Sequence, residues 1–290
     1  MSERHDPPTP EKRAESRELR DHRDAAELDL DEQLKAEEEE SLNASVTHEV
    51  IRREGVREIH RKPAALAWSG LAAGLSMGLS MAAEGALHAH LPPAEWRPLV
   101  AKMGYPFGFI IVILGSQQLF TENTLTPVVP LLVKRTEGML RKLGTLWAVV
   151  LVANLVGTLL FAWAAAYTQA FPPEVRHAFT EIGRSAAEPG WLALLARAVV
   201  AGWIIALMVW MLPAASSQQV LVIFLMTWLI GALKLAHIIA GSVEVLYLAA
   251  VGEISYGHYL VSWMLPTLIG NVVGGVALVT ALNHQQVKAG

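Results

Sequence analysis

Six sparsely charged apolar stretches, at residues 66–87, 105–132, 146–168, 191–212, 220–248 and 260–282, constrain this chain more than any other feature. Each is long enough to cross the hydrocarbon of a bilayer as an α-helix. A water-soluble fold has no need of several such runs. The class expected is therefore an all-α integral membrane protein with six transmembrane helices. Lys and Arg gather before the first run (Arg52, Arg53, Arg57, Arg61, Lys62) and between the second and third (Lys134, Arg135, Arg141, Lys142). That bias predicts cytoplasmic termini at both ends. Trp68, Trp147, Trp191 and Trp263 fall near run ends and read as anchors in the headgroup layer.

Residues 1–62 are of another kind. Glu, Asp, Arg and Lys dominate, Pro7, Pro8 and Pro10 stand near the start, and Glu37 to Glu40 form an acidic run. Such a segment cannot bury enough apolar surface to fold alone. The domain expectation is a charged, largely disordered cytoplasmic tail over 1–62 and a six-helix transport domain over 63–290. Residues 28–35 and 46–59 can turn helical where they dock on a partner or on the mouth of a pore, but the favoured reading is a solvated tail. No apolar stretch follows a basic start, so no cleaved leader is expected.

The formal net charge of −4 averages this tail with a nearly charge-free body, and no basic patch suited to nucleic acid is present. The absence of cysteine excludes disulfides, iron–sulfur clusters and thiolate metal sites. No metal-ligand pair at helical spacing, Gly-x-Ser-x-Gly elbow or phosphate-cradling loop is found, so neither an enzyme nor a cofactor is expected.

Asn154-Leu155-Val156-Gly157 in the third run is echoed by Asn271-Val272-Val273-Gly274 in the sixth, 117 residues later (271 − 154). The same offset carries Phe120 onto His237, and both lie where an apolar run is interrupted. An odd number of spans per half turns the second half upside down. The pattern therefore predicts an inverted repeat of two three-helix halves with broken second and fifth helices, whose site sits near the bilayer midplane. Gly70, Gly74 and Gly78 mark one face of the first span for close helix packing.

The first interruption is Gln117 to Pro127, where amides, hydroxyls, a carboxylate at Glu122 and a proline replace apolar residues before the pattern resumes. The second runs from Lys234 to Ser242, with Glu244 beyond it. A lysine at mid-helix costs about 2.5–3.5 kcal/mol on insertion scales, so Lys234 is expected to face a cavity or a partner such as Glu122. His237 alone among ten histidines lies deep within a span. Its imidazole can exchange a proton near neutral pH.

Leu119-Phe120-Thr121, Ala236-His237-Ile238-Ile239-Ala240 and Pro266-Thr267-Leu268-Ile269-Gly270-Asn271-Val272-Val273-Gly274-Gly275 together resemble the formate/nitrite transporter family from about Ala64 to the C-terminus. The resemblance implies an aquaporin-like fold in a bacterial-type inner membrane, a homopentamer with one pore per protomer, and passage of formate, nitrite or a similar small monovalent anion. It further implies that Leu119, Phe120 and Thr121 form a loop beside the pore and that His237 is its central histidine. His237 would then supply a proton or a charge to the solute, and Thr121 a hydrogen bond.

Departures from the family pattern are equally legible. Gly202 aligns with a pore-facing asparagine of the fourth span, Ala236 replaces an acidic residue, and Gly241 stands where asparagine is common. The segment 185–188 lacks the usual lysine, leaving Arg184 as the nearest cation, while Lys234 and Glu122 are additional charges. The function expected is a channel or proton-linked transporter for small weak-acid anions. Alternatives are a pore for small neutral solutes and a non-conducting scaffold whose tail is an adaptor.

Overall fold

The computed structural model describes residues 44–133 and 136–280, with side chains described to 277. The tail over 1–43, including the helix expected at 28–35, lies outside the described residues, as do Lys134, Arg135 and residues 281–290. The described residues form one compact unit.

All regular structure among the described residues is helical. The chain opens with α1 (Ala44–Ile59) and α2 (Pro63–His90), followed by α3 (Arg97–Ala101), which runs through a 3₁₀ turn into α4 (Pro106–Leu114). A second 3₁₀ turn at Glu122–Thr124 precedes α5 (Val129–Val133), α6 (Glu137–Tyr167), α7 (Pro173–Ala187) and α8 (Trp191–Met211). Next come α9 (Gln219–Ala232), α10 (Ala240–Ala250) and α11 (Tyr256–His258). A π-helical stretch, Tyr259–Met264, leads into α12 (Leu265–Val273), and a second one ends the described chain.

Among the described residues, five helical segments are long and apolar enough to cross a membrane: Pro63–His90, Arg97–Leu114, Glu137–Tyr167, Trp191–Met211 and Tyr256–Ala277. α9 and α10 are apolar but shorter. Large hydrophobic side chains such as Leu192, Val152 and Val261 stay exposed on the outer faces, as a lipid-facing surface requires. Helix ends follow local chemistry. Proline, whose missing N–H is harmless in a first turn, opens α2 and α7. Thr136 caps α6 by accepting from the Met139 amide at 3.3 Å, so this helix begins well before residue 146.

The core is made by close helix pairs. α2 lies against α6 so tightly that a Cβ at Gly74 would sit 2.2 Å from the Asn154 carbonyl oxygen. α8 meets α12 the same way, with a Cβ at Gly202 placed 2.3 Å from the Asn271 carbonyl oxygen. Gly202 thus faces a helix and has no room for the asparagine that alignment suggested. Gly241 faces the Trp263 indole, 2.6 Å from a built Cβ, which equally excludes asparagine there.

Three features differ from the sequence reading. α1 buries Thr47, His48, Ile51, Gly55 and Ile59, a stripe of period three and four, and packs against α5 and α6. Structure upstream of residue 63 therefore includes a docked helix at 46–59. α7 was not foreseen, although Val175, Ala178, Phe179 and Ile182 mark an apolar face after Pro172-Pro173. Trp68 and Trp191 are exposed near helix starts, but Trp263 is buried and Trp147 is partly buried, donating to the Asn123 carbonyl at 2.9 Å. Trp147 thus braces the first interruption, while Trp263 donates to Ala186 O of α7 at 3.0 Å and lies against Gly241; neither marks a headgroup layer.

Candidate functional site

Two interruptions, at residues 115–128 and 233–239, meet in the buried core, and both begin with the same helix ending. Gly115 N–H donates to Ile111 O and Gln117 N–H to Val112 O; Leu233 N–H donates to Leu229 O and Leu235 N–H to Ile230 O. The residues that turn the chain, Ser116 and Lys234, both have φ of 51°. This left-handed geometry closes off helices and disfavours any residue with a Cβ. Lys234 is therefore a helix-end residue with an exposed side chain, not a mid-helix one.

An asparagine then clamps each interruption. Asn154 accepts from Phe120 N–H at 2.9 Å and donates to Gly70 O and Gln118 O at 2.7 and 2.9 Å. Asn271 accepts from Ile238 N–H at 2.8 Å and donates to Ala198 O and Ala236 O at 2.8 and 2.9 Å. One carboxamide thus satisfies buried backbone groups that the missing helix turn would leave unpaired. By these bonds Phe120 corresponds to Ile238, one residue beyond the His237 that the sequence offset indicated.

Leu119, Phe120, Thr121 and His237 are all buried where the two segments meet. Thr121 Oγ1 and His237 Nε2 are 2.8 Å apart. On the ring's other side Nδ1 accepts from the amides of Ile239 and Ala240 at 3.3 and 3.2 Å. With Nδ1 occupied as an acceptor, the imidazole carries its hydrogen on Nε2 and donates it to Thr121. The threonine hydroxyl hydrogen is then available to a third group. Phe109 of α4 packs edge-on against the imidazole, centroids 4.9 Å apart, and Phe120 meets Trp147 at 5.9 Å.

Two separate cavities border these segments, and one of them reaches His237. On the α1 side a vestibule of about 520 Å³ is lined by Gln118, Glu122, Asn123 and Thr126 of the first interruption and by Glu54, Glu58 and Arg61. Gln118 is fixed there by donating to Glu58 at 2.8 Å. On the opposite side a narrow cavity of about 40 Å³ is lined by His237, Gly241 and Glu244, with Lys102, Arg197 and Lys234 as its cations. Lys234 and Glu122 therefore belong to different cavities, and no ion pair joins them among the described residues. Arg184 is engaged elsewhere. Its guanidinium pairs with Glu253 at 2.6 Å and holds that carboxyl below the usual carboxylate range.

Sequence reasoning missed Lys102, Arg197 and Glu84. Lys102 sits in a turn where the second span was expected to begin further on, and nothing local links it to Glu84, its partner at 2.5 Å. No group of three or more His, Cys, Asp or Glu suited to a metal ion occurs among the described residues.

Comparison with known proteins agrees with this architecture. The family described as Formate/nitrite transporter matches residues 45–285. The chain is 41% identical over 273 residues to Inner membrane protein YfdC of Escherichia coli (strain K12), covering 92% of this chain and 88% of that one. It is 26% identical over 210 residues to a Probable formate transporter of Methanothermobacter thermautotrophicus, covering 66% of this chain and 75% of the relative. A solved pentameric formate channel with formate bound superposes with a TM-score of 0.67 at 19% identity, over 82% of this chain and 99% of that channel.

Proposed function

Because this chain belongs to the formate/nitrite transporter family, we propose that it conducts small monovalent weak-acid anions, formate, nitrite or similar, through a pore in each protomer of a homopentamer. The Thr121–His237 hydrogen bond at the junction of two interrupted helices carries this reading. A bare anion entering an apolar constriction loses its hydration at great cost, whereas a hydrogen-bonded or protonated solute crosses far more cheaply. The Nε2–H donated to Thr121 leaves the threonine hydroxyl pointing its hydrogen at the solute, and the histidine thereby assists proton-linked passage. Lys102, Arg197 and Lys234 draw anions to the cavity on the His237 side.

In this reading α9 and α10 form one interrupted span, which brings the count to six. The matched asparagine clamps and the paired left-handed residues support an inverted repeat of two three-helix halves. The setting is an inner membrane, as for the Escherichia coli relative. The Lys and Arg bias places both termini in the cytoplasm. A cytosolic partner, the remaining part of this reading, is assigned to the tail upstream of α1.

Expressed in proteoliposomes, His237→Ala is expected to abolish pH-dependent flux of formate and nitrite. Full retention overturns the role given to His237. A second reading, a pore for small neutral solutes, is favoured by one observation: Glu54, Glu58 and Glu122 crowd the α1-side vestibule and oppose anions there. Glycerol swelling without formate or nitrite flux would select it.

A further inference from the structure

We infer that Glu84, Lys102 and Glu244 hold one exchangeable proton on the wall of the cavity facing His237, and that Glu244 passes it to the incoming anion. This rests on the transport reading above and names the source of its proton. The three residues come from α2, the turn before α4, and α10. Glu84 and Glu244 are both buried, at 2% and 6% exposure. Lys102 Nζ lies 2.5 Å from Glu84 Oε1 and within electrostatic reach of both carboxylates. Glu84 Oε2 is buried with no hydrogen-bond partner, and Glu244 lines the cavity.

Two buried carboxylates against one ammonium leave an uncompensated negative charge, which a membrane interior disfavours strongly. One proton shared by the pair removes it. His237 is poorly placed to be that donor, because its Nδ1 is taken by two amides and its Nε2–H by Thr121. Glu244 lines the same cavity as His237. The other titratable groups facing that cavity are Tyr105 beside Lys102, Arg197 from α8 and Lys234 from the second interruption; α7 contributes Ile182, Ser185 and Ala186, none of which titrates. Arg197 and Lys234 concentrate the anion opposite the acid. The step is a simple exchange: the Glu244 O–H bond breaks, a bond from that proton to an oxygen of the anion forms, and neutral acid moves on toward Thr121. Glu244 is reloaded from water on the cavity side.

Infrared spectra of the purified full chain at neutral pH should show the carbonyl band of a protonated carboxylic acid that disappears in both Glu244→Gln and Glu84→Gln. Either substitution leaves Lys102 with one carboxylate and no need of a proton. In proteoliposomes Glu244→Gln should slow proton-coupled anion flux by about a hundredfold. Absence of the band in the wild type overturns the inference without any variant, and so does its persistence in both variants. A wild type that moves no weak-acid anion defeats the transport reading while the infrared band still decides the proton site. Formate flux in Glu244→Gln with unchanged proton coupling defeats the inference and leaves the transport reading standing.

Discussion

Replacing Asn271 tests whether the interruption is held as described. Asn271→Ala removes three hydrogen bonds. Ala198 O lies within α8, where the helix ladder still satisfies it, but the Ile238 amide and the Ala236 carbonyl are left unpaired in a buried site. At about 1–3 kcal/mol for each orphaned group, the loss is about 2–6 kcal/mol. Asn271→Asp is the sharper test, because it is isosteric. The carboxylate still accepts from Ile238, but it turns an oxygen toward two carbonyl oxygens, and even as the neutral acid its single O–H serves only one of them. The expected order of stability is wild type, then Asn271→Ala, with Asn271→Asp equal to it or lower. Thermal unfolding followed by the fluorescence of the nine tryptophans reads this directly, and flux in proteoliposomes shows whether His237 has moved. An Asp variant with wild-type unfolding and flux would refute the clamp.

Thr121→Val removes both the acceptor for His237 Nε2–H and the hydroxyl offered to the solute, and should lower stopped-flow anion flux about 10- to 100-fold, a loss of about 1–3 kcal/mol; Thr121→Ser should stay near wild type, and a Val variant that does so contradicts the proposed contact. Gly202→Ala pushes a methyl to 2.3 Å from the Asn271 carbonyl oxygen, so unfolding should show a loss of about 1–3 kcal/mol, and an unchanged transition would deny the close approach of α8 and α12. Hydrogen bonds from Arg52 and Arg53 draw the Glu49 carboxyl from 4.5 down to about 2. A depressed value means that its contribution to α1 is present above the ordinary range and is lost only as pH falls through that window. Amide exchange in α1 should therefore quicken there and not near neutrality.

Much of this site was legible because a bilayer punishes polar residues. Gln117 to Pro127 and Lys234 to Ser242 stand out from apolar surroundings, and the repeated Asn-x-x-Gly, now in α6 and at the end of α12, pointed to residues that prove to clamp those interruptions. The offset between halves was off by one at the interruptions because it was read from the helices. Irregular segments need not keep the spacing of the helices that hold them. The position of Lys234 was misjudged for a related reason: hydropathy marks where an apolar run continues, not where backbone hydrogen bonding turns left-handed. Glu84 and Lys102 escaped notice since each is a single charge near a span end, and their meeting depends on how α2 packs against the turn after α3. The docking of α1 depends on Gly55 nestling against the Thr126 carbonyl, a contact that no local pattern announces.

Ser116 and Lys234 are the only non-glycine residues with positive φ among the described ones. Glycine would sit at either place without the roughly 1–2 kcal/mol that a Cβ costs there. At residue 234 the chain forgoes that relief and keeps an ammonium at the rim of a cavity. A more rigid protein is thus one substitution away, at the expense of a positive charge on the cavity wall; robustness and charge compete for a single backbone position.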